Sequence, residues 1–444
     1  MSFPSYPVYK ETGADWLGRI PKHWGVGSLR WLCKRYAGGT PDRSKEEFWE
    51  GGTVPWLNSG AVNDRLIMEA SEFITEAGFA ASSARWIPEG SLVMALAGQG
   101  KTKGMVAQLA IASTCNQSMA AIIPNARLAP RFLFWWLDCN YENIRNLAGG
   151  DLRDGLNLEL IGSIRCPLPS MSEQDIIAAF LDRETAKIDA LVTEQRRLME
   201  LLKEKRRAVI SHAVTKGLNP HAPMKDSGIE WLGALPAHWA FASLTRIASR
   251  VVVGIAEAAT HAYVDQGIPI LRSTNIRAGR IIGDLLFVDS SFAGDRESKR
   301  IYAGDLVTVR TGNAGVTAVI PQELDGCQCF TMLITTLMQG SLAKYYCYWM
   351  NSVPAQCYFS LEGWGTAQVN ISVPILKALP IPIPPSSEQE EIVAYLDRET
   401  SKLDEFSVEA ERTIDLLQER RSALISAAVT GQIDVRGLID QEAA

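Results

Sequence analysis

No Cys-x-x-Cys pair occurs in the 444 residues, and the eight cysteines are scattered, Cys327 and Cys329 being the nearest two. Zinc-ribbon and thioredoxin-like redox spacings are therefore absent. The N-terminus has no basic segment leading into an apolar one, as an export signal would. Reduced thiols in a cytoplasmic protein are the expectation. Histidine is also sparse, with five in the chain. There is no H-E-x-x-H, no G-x-S-x-G and no His/Cys cluster with zinc spacing, so no metal site and no catalytic residues are expected. The one Pro-Pro, Pro384-Pro385, is not preceded by Asn or Asp and followed by an aromatic, so the amino-methyltransferase signature is missing. No apolar run approaches the roughly 18 residues that span a bilayer. Positive charge is not in excess. Lys plus Arg number 44 against 50 Asp plus Glu, for a net charge of −6. That argues against a chain coated for non-specific nucleic-acid binding, but leaves room for a local basic surface.

What the chain does have is the same passage twice. Ser172-Glu173-Gln174 opens SEQDIIAAFLDRETAKID, and Ser387-Glu388-Gln389 opens SEQEEIVAYLDRETSKLD. Both run through charged sequence to Ala-Val-Thr, at Ala213–Thr215 and Ala428–Thr430. A shorter motif also recurs, TGADWLGRIPKHW ending at Trp24 and SGIEWLGALPAHW ending at Trp239. Copies of each motif lie 215 residues apart. This period is too long for a solenoid or propeller blade, so a large unit of domain plus helix is used twice. Hydrophobic content of 47% supports globular cores.

Short apolar runs broken by Gly and Pro, such as Thr53–Gly60, Gly90–Gly98 and Met119–Pro124, read as strands. Pro130–Leu147 reads as a helix with Pro near its start. The expected fold is therefore α+β, with two globular domains separated by two long helices in a pseudo-two-fold repeat. Expected boundaries are 1–168 and 219–384 for the domains, 169–218 and 385–434 for the helices, and 435–444 for a tail. Ser387-x-x-Glu390 reads as a capping box and Ser172-x-x-Asp175 as a weaker one. Apolar residues follow a 4,3 spacing through Leu181, Ile188, Leu191 and Leu198, and again through Leu396, Leu403 and Phe406. This is a heptad seam. A helix of about 40 residues is roughly 60 Å long and could not bury such a stripe alone. The other copy is the evident partner, in an antiparallel coiled coil.

One Gly-rich stretch invites a nucleotide-binding reading. Ala95-Leu96-Ala97-Gly98-Gln99-Gly100-Lys101-Thr102 matches a relaxed phosphate loop with Ala in place of the first Gly. The residues after it look like a second strand, and the second domain has Arg310-Thr311-Gly312-Asn313-Ala314-Gly315 in its place. A hairpin turn carrying Lys101 and Lys103 is the preferred reading. His23 and His238, within the repeated Pro-x-His-Trp, read as parts of a packed corner.

These residues resemble the specificity subunit of type I restriction–modification enzymes over essentially the whole length. The resemblance rests on the W-L-G-x-x-P-x-H-W openings, the SEQ-x-x-I helix starts, the Ala-Val-Thr ends and the domain–helix–domain–helix order. Gly39-Thr40-Pro41, Phe48-Trp49 and Pro55-Trp56-Leu57 add to it. The resemblance implies a non-catalytic subunit in which each target-recognition domain reads one half of a split DNA sequence. It implies helices that set the gap between the halves and dock two modification subunits. Those subunits methylate adenine with S-adenosylmethionine, and restriction subunits add ATP and Mg²⁺. No cofactor is expected on this chain.

Base edges are read by Arg, Lys, Asn and Gln, with other polar contacts to the backbone. Polar residues at strand-end turns are therefore the expected DNA contacts. In the first domain these are Arg43, Lys45, Asn58, Ser59, Gln99, Lys101 and Lys103. In the second they are Arg272, Ser273, Asn275, Arg277, Arg310, Asn313 and Gln368. The retained polar runs Asp182-Arg183-Glu184 and Asp397-Arg398-Glu399 suggest docking surfaces for two copies of one partner, although common descent would leave the same trace. An ATP-using enzyme and a coiled-coil scaffold without a DNA role are the rival readings.

Overall fold

The computed structural model describes residues 3–438, apart from 15, 99–100, 148–154, 257–259, 295 and 366–368. The expected contacts Gln99 and Gln368 lie outside the described residues. The chain divides into two compact units, Met1–Gln195 with Arg412–Ala444, and Arg196–Glu411. Each unit takes one globular domain and part of each long helix, a division that cuts through the helices instead of falling at their ends.

In the first unit a five-stranded sheet runs in the order Cys33–Ala37, Met119–Pro124, Leu92–Ala95, Val106–Leu109, Leu66–Ile67. Side chains alternate across a strand, and here both faces are covered. Leu92, Met94, Ala120 and Ile122 join the core containing Trp136, whereas Val93, Ala107 and Ala121 join a second core with Leu57. A smaller sheet pairs Val54–Leu57 parallel to Thr114–Cys115.

The second unit repeats this plan. Its four-stranded sheet runs Ala248–Val253, Leu333–Leu337, Leu306–Thr308, Thr317–Val319. Leu306 and Leu333 face the core of Trp349, and Val307 and Ile334 face the other side. Ile268–Leu271 pairs parallel to Gln328–Cys329, matching the parallel pair of the first unit. The α+β reading holds for both.

The long helices are Met171–Lys216 and Ser386–Val429. In the first unit Ile177, Leu181 and Ile188 of the central helix share a core with Leu424, Ile425 and Ala428 of the C-terminal helix. In the second unit Ile210, Ala213 and Val214 share one with Ile392, Val393 and Leu396. The beginning of one helix therefore meets the end of the other in each unit, which makes the pair antiparallel.

Three local expectations need correction. The heptad seam is buried at Leu181, Ile188, Leu396 and Leu403 but does not hold throughout. Leu191, Leu198 and Phe406 are exposed, and Val192 is buried in place of Leu191. A helix turning at 3.6 residues drifts away from a strict seven-residue stripe, so burial moves on by one position. The capping boxes sit elsewhere. Ser170 caps the central helix, its hydroxyl bonding the Glu173 carboxylate at 2.9 Å and accepting from the Glu173 N–H. The C-terminal helix already begins at Ser386, so Ser387 lies inside its first turn. Finally, Pro130–Leu147 is two helices, Pro130–Cys139 and Tyr141–Asn146, divided at Asn140. The Asn140 side chain bonds back to the Trp136 carbonyl at 2.9 Å, a local competitor for the helical ladder.

Candidate nucleic-acid and partner interface

Each helix start carries a corner built from the repeated Pro-x-His-Trp. His23 and Trp24 both bond Glu173, at 2.9 and 3.4 Å. His238 and Trp239 both bond Glu388, at 2.8 and 3.0 Å. Both tryptophans are buried, so each indole N–H needs the carboxylate. Burial raises the Glu173 carboxyl, but bonds from His23, Ser170 and Trp24 outweigh it and leave the group below its ordinary value. The packed-corner reading of these histidines holds, and the carboxylate ties the corner to the helix.

The expected DNA contacts of the first domain fall into three groups. Arg43, Lys45 and Lys101 are exposed. Arg43 stacks 3.9 Å above the Trp49 ring and bonds Glu72 at 2.7 and 3.2 Å. Its guanidinium is thus held flat, with one carboxylate to be exchanged for any nucleic acid. Asn58 and Ser59 are half-buried. Asn58 caps the Ser59–Asp64 turn by accepting from the Gly60 N–H at 2.9 Å. Lys103 is a correction, being only 3% exposed. Its ammonium cannot meet a phosphate without leaving the protein. The strands that flank the Gly-rich stretch, Leu92–Ala95 and Val106–Leu109, pair antiparallel. A phosphate loop would open a helix instead.

In the second domain Ser273, Arg277 and Asn313 are exposed, and Arg272 and Arg310 half-buried. Arg310 bonds the Asn370 side chain at 3.1 Å, and Arg272 bonds the Asp284 carbonyl at 3.0 Å. Asn275 is the second correction. It is 2% exposed and knits its own loop, accepting from the Arg272 N–H and donating to the Ile282 and Asp284 carbonyls. A buried Asn with satisfied bonds specifies the turn, not a base.

The polar runs on the helices also have internal work. Asp182 accepts from Arg131 at 2.8 Å and from the Trp135 indole at 2.9 Å. Asp397 accepts from Lys344 at 2.6 Å and from the Tyr348 hydroxyl at 2.7 Å. Burial keeps the Tyr348 hydroxyl well above its ordinary value, hence a donor. These four donors went unnoticed in the sequence. Their signal was a cation and an aromatic four residues apart on the equivalent domain helices, Pro130–Cys139 and Ala343–Met350. Arg183 and Arg398 lie along their helices against Glu184 and Glu399, at 3.0 and 3.3 Å. The Arg398 side chain is 59% exposed against 30% for Arg183, because Arg183 also bonds the Leu438 carbonyl.

Among the described residues no group of three or more His, Cys, Asp or Glu side chains is arranged to hold a metal, and no helix is long and apolar enough to cross a membrane.

Comparison with known proteins closes on one family. The family described as "Type I restriction modification DNA specificity domain" matches residues 21–200 and 262–411. A type I restriction enzyme MjaIX specificity subunit of Methanocaldococcus jannaschii is 21% identical over 446 residues, covering 97% of both chains. The EcoR124I/EcoR124II specificity subunit of Escherichia coli is 28% identical over 166 residues, 35% of this chain and 41% of that protein. Among solved structures, a chain from work on complex assembly and conformational transition of the type I R-M system superposes with a TM-score of 0.74 at 16% identity, covering 93% of this chain and 99% of that one. The HsdS subunit from Thermoanaerobacter tengcongensis gives 0.55 at 15% identity, over 93% and 98%. The last two are likenesses of fold.

Proposed function

The chain belongs to the type I restriction–modification DNA-specificity family, as a non-catalytic subunit with two target-recognition domains, and from that premise we propose how its parts divide the work. Each domain reads one half of a bipartite double-stranded DNA target. The helix pair sets the spacer between the halves and docks two modification subunits, which carry S-adenosylmethionine. Restriction subunits with ATP and Mg²⁺ join that core, in the cytoplasm.

The observation that carries this reading is the contrast between what the two units share and what they do not. The corner, the helix pair and the Asp182 and Asp397 contacts recur position for position. The exposed turns differ, with Arg43 stacked on Trp49 in a loop of one domain and Arg277 exposed on the Ile276–Ile281 hairpin of the other. Shared parts suit one job done twice. Unlike turns suit two different half-sites, since base edges are distinguished by their donor and acceptor patterns.

The account of affinity follows from charge. With a net charge of −6, this chain carries no general excess of the positive charge that drives DNA affinity. The modification subunits supply the rest of the basic surface. Sequencing of adenine methylation in DNA exposed to the full chain with its modification subunits tests the reading. A single split motif is expected. Continuous motifs, or methylation that does not depend on this chain, would contradict it.

A further inference from the structure

Hydrophobic cores hold both recognition domains to the helix pair, but apolar contact has no direction and does not by itself fix an angle. Besides the corners at Glu173 and Glu388 and the bonds of Gln174 to the Arg127 and Ala129 backbone, one directed contact of this junction occurs in both units. Asp182 receives Arg131 and Trp135, and Asp397 receives Lys344 and Tyr348, at 2.6 to 2.9 Å. In each case the two donors are one helical turn apart on the domain helix and converge on one carboxylate of a long helix. Hydrogen bonds weaken steeply when misaligned, so two donors on one acceptor resist both sliding along the long helix and rolling about the domain helix. Both carboxylates are about 40% exposed (40% and 37%). At that exposure an ion pair adds little stability, so fixing geometry is the larger effect.

The two junctions are not equally stiff. In the first unit Phe134 and Trp135 fill the space beside Asp182, under the guanidinium groups of Arg65 and Arg131. The matching positions of the second unit are Cys347 and Tyr348, and a cavity of about 640 Å³ opens there. Arg206 and Arg280 meet across it at Asp404, at 3.4 and 3.5 Å.

We propose that Asp182 and Asp397 are positioning residues: each holds its own recognition domain at a fixed attitude on the helix pair, and so determines which spacer between the half-sites is accepted. This rests on the reading of two half-sites above. The second junction, with its cavity and long ion pairs, is the one that yields first.

The test uses the full chain with its modification subunits and a plasmid library holding both half-sites at spacers varied by single base pairs. Asp397→Ala and the milder Lys344→Ala are compared with wild type, the latter removing a side chain that is 54% exposed. The half-sites should stay the same, while methylation at spacers one base pair off rises by about tenfold, the ratio corresponding to 1.4 kcal/mol. Asp182→Ala should do the same to a smaller degree. An unchanged single spacer in folded Asp397→Ala and Lys344→Ala proteins would overturn the proposal. So would joint loss of all methylation and of modification-subunit co-purification, which would make Asp397 a dock. A wild type without a split motif would instead remove the half-site reading, and this inference with it.

Discussion

Arg421 of the C-terminal helix bonds Asp189 of the central helix at 2.9 Å, and the pseudo-two-fold repeats the pair as Arg206 with Asp404 at 3.4 Å. Arg421 also lies 5.9 Å from the Trp135 ring centre, whereas the buried Arg206 Nε makes no hydrogen bond and meets Asp404 only as an ion pair. Removing either arginine loses a partly exposed pair, worth about 0.2–1 kcal/mol. Arg421→Ala should sit at the top of that range, because it also uncovers an aromatic face. Thermal melts of the two variants check this, with Arg206→Ala closer to wild type.

Acid should loosen the first corner. The Glu173 carboxyl lies below its ordinary value in the fold, so its contribution is present above the unfolded value. It is lost as pH falls through the depressed native one. Glu173→Gln removes the charge at every pH. The gap in melting temperature between wild type and Glu173→Gln should be widest near neutrality and close as pH drops toward 3. A gap independent of pH would contradict the assignment.

Asn275 and Arg277 are neighbours with opposite expectations. Asn275→Ala leaves buried loop groups without partners and should cost about 1–3 kcal/mol in chemical denaturation. Arg277→Ala, on an exposed side chain, should leave stability unchanged. If it meets a phosphate, it should weaken DNA binding across sequences and reduce the salt slope by about one.

Gly217 and Gly431 end the long helices at φ of +72° and +71°. A Cβ at Gly431 would lie 2.4 Å from Pro21 and 2.9 Å from Trp24. At Gly217 it would lie 3.2 Å from Trp239. Alanine at either position meets both left-handed strain and the tryptophan corner, a cost of about 1–3 kcal/mol. Gly431→Ala should be the worse of the two by thermal melt.

Much of the architecture was legible because duplication repeats the signal. The two helices, their antiparallel pairing and the Trp24 and Trp239 corners all rest on residues that occur twice. The failures came where the third dimension chooses between equivalent letters. Leu191 and Val192 are both apolar, and only the helical pitch decides that Val192 turns inward. Lys103 and Asn275 are polar residues in turns, like Arg43 and Arg277, and nothing in the local sequence marks them as buried. The Asp182 and Asp397 contacts were half visible. The sequence shows the retained carboxylates, but their donors sit some fifty residues earlier on another element, where nothing local links the two.

The central claim is that two unlike readers sit on two like mounts. Exchanging residues 1–168 for the first domain of another family member, followed by methylation sequencing with the modification subunits present, tests it most directly. One half of the split motif should change, with the other half retained. Change in both halves, or in neither, would contradict the account.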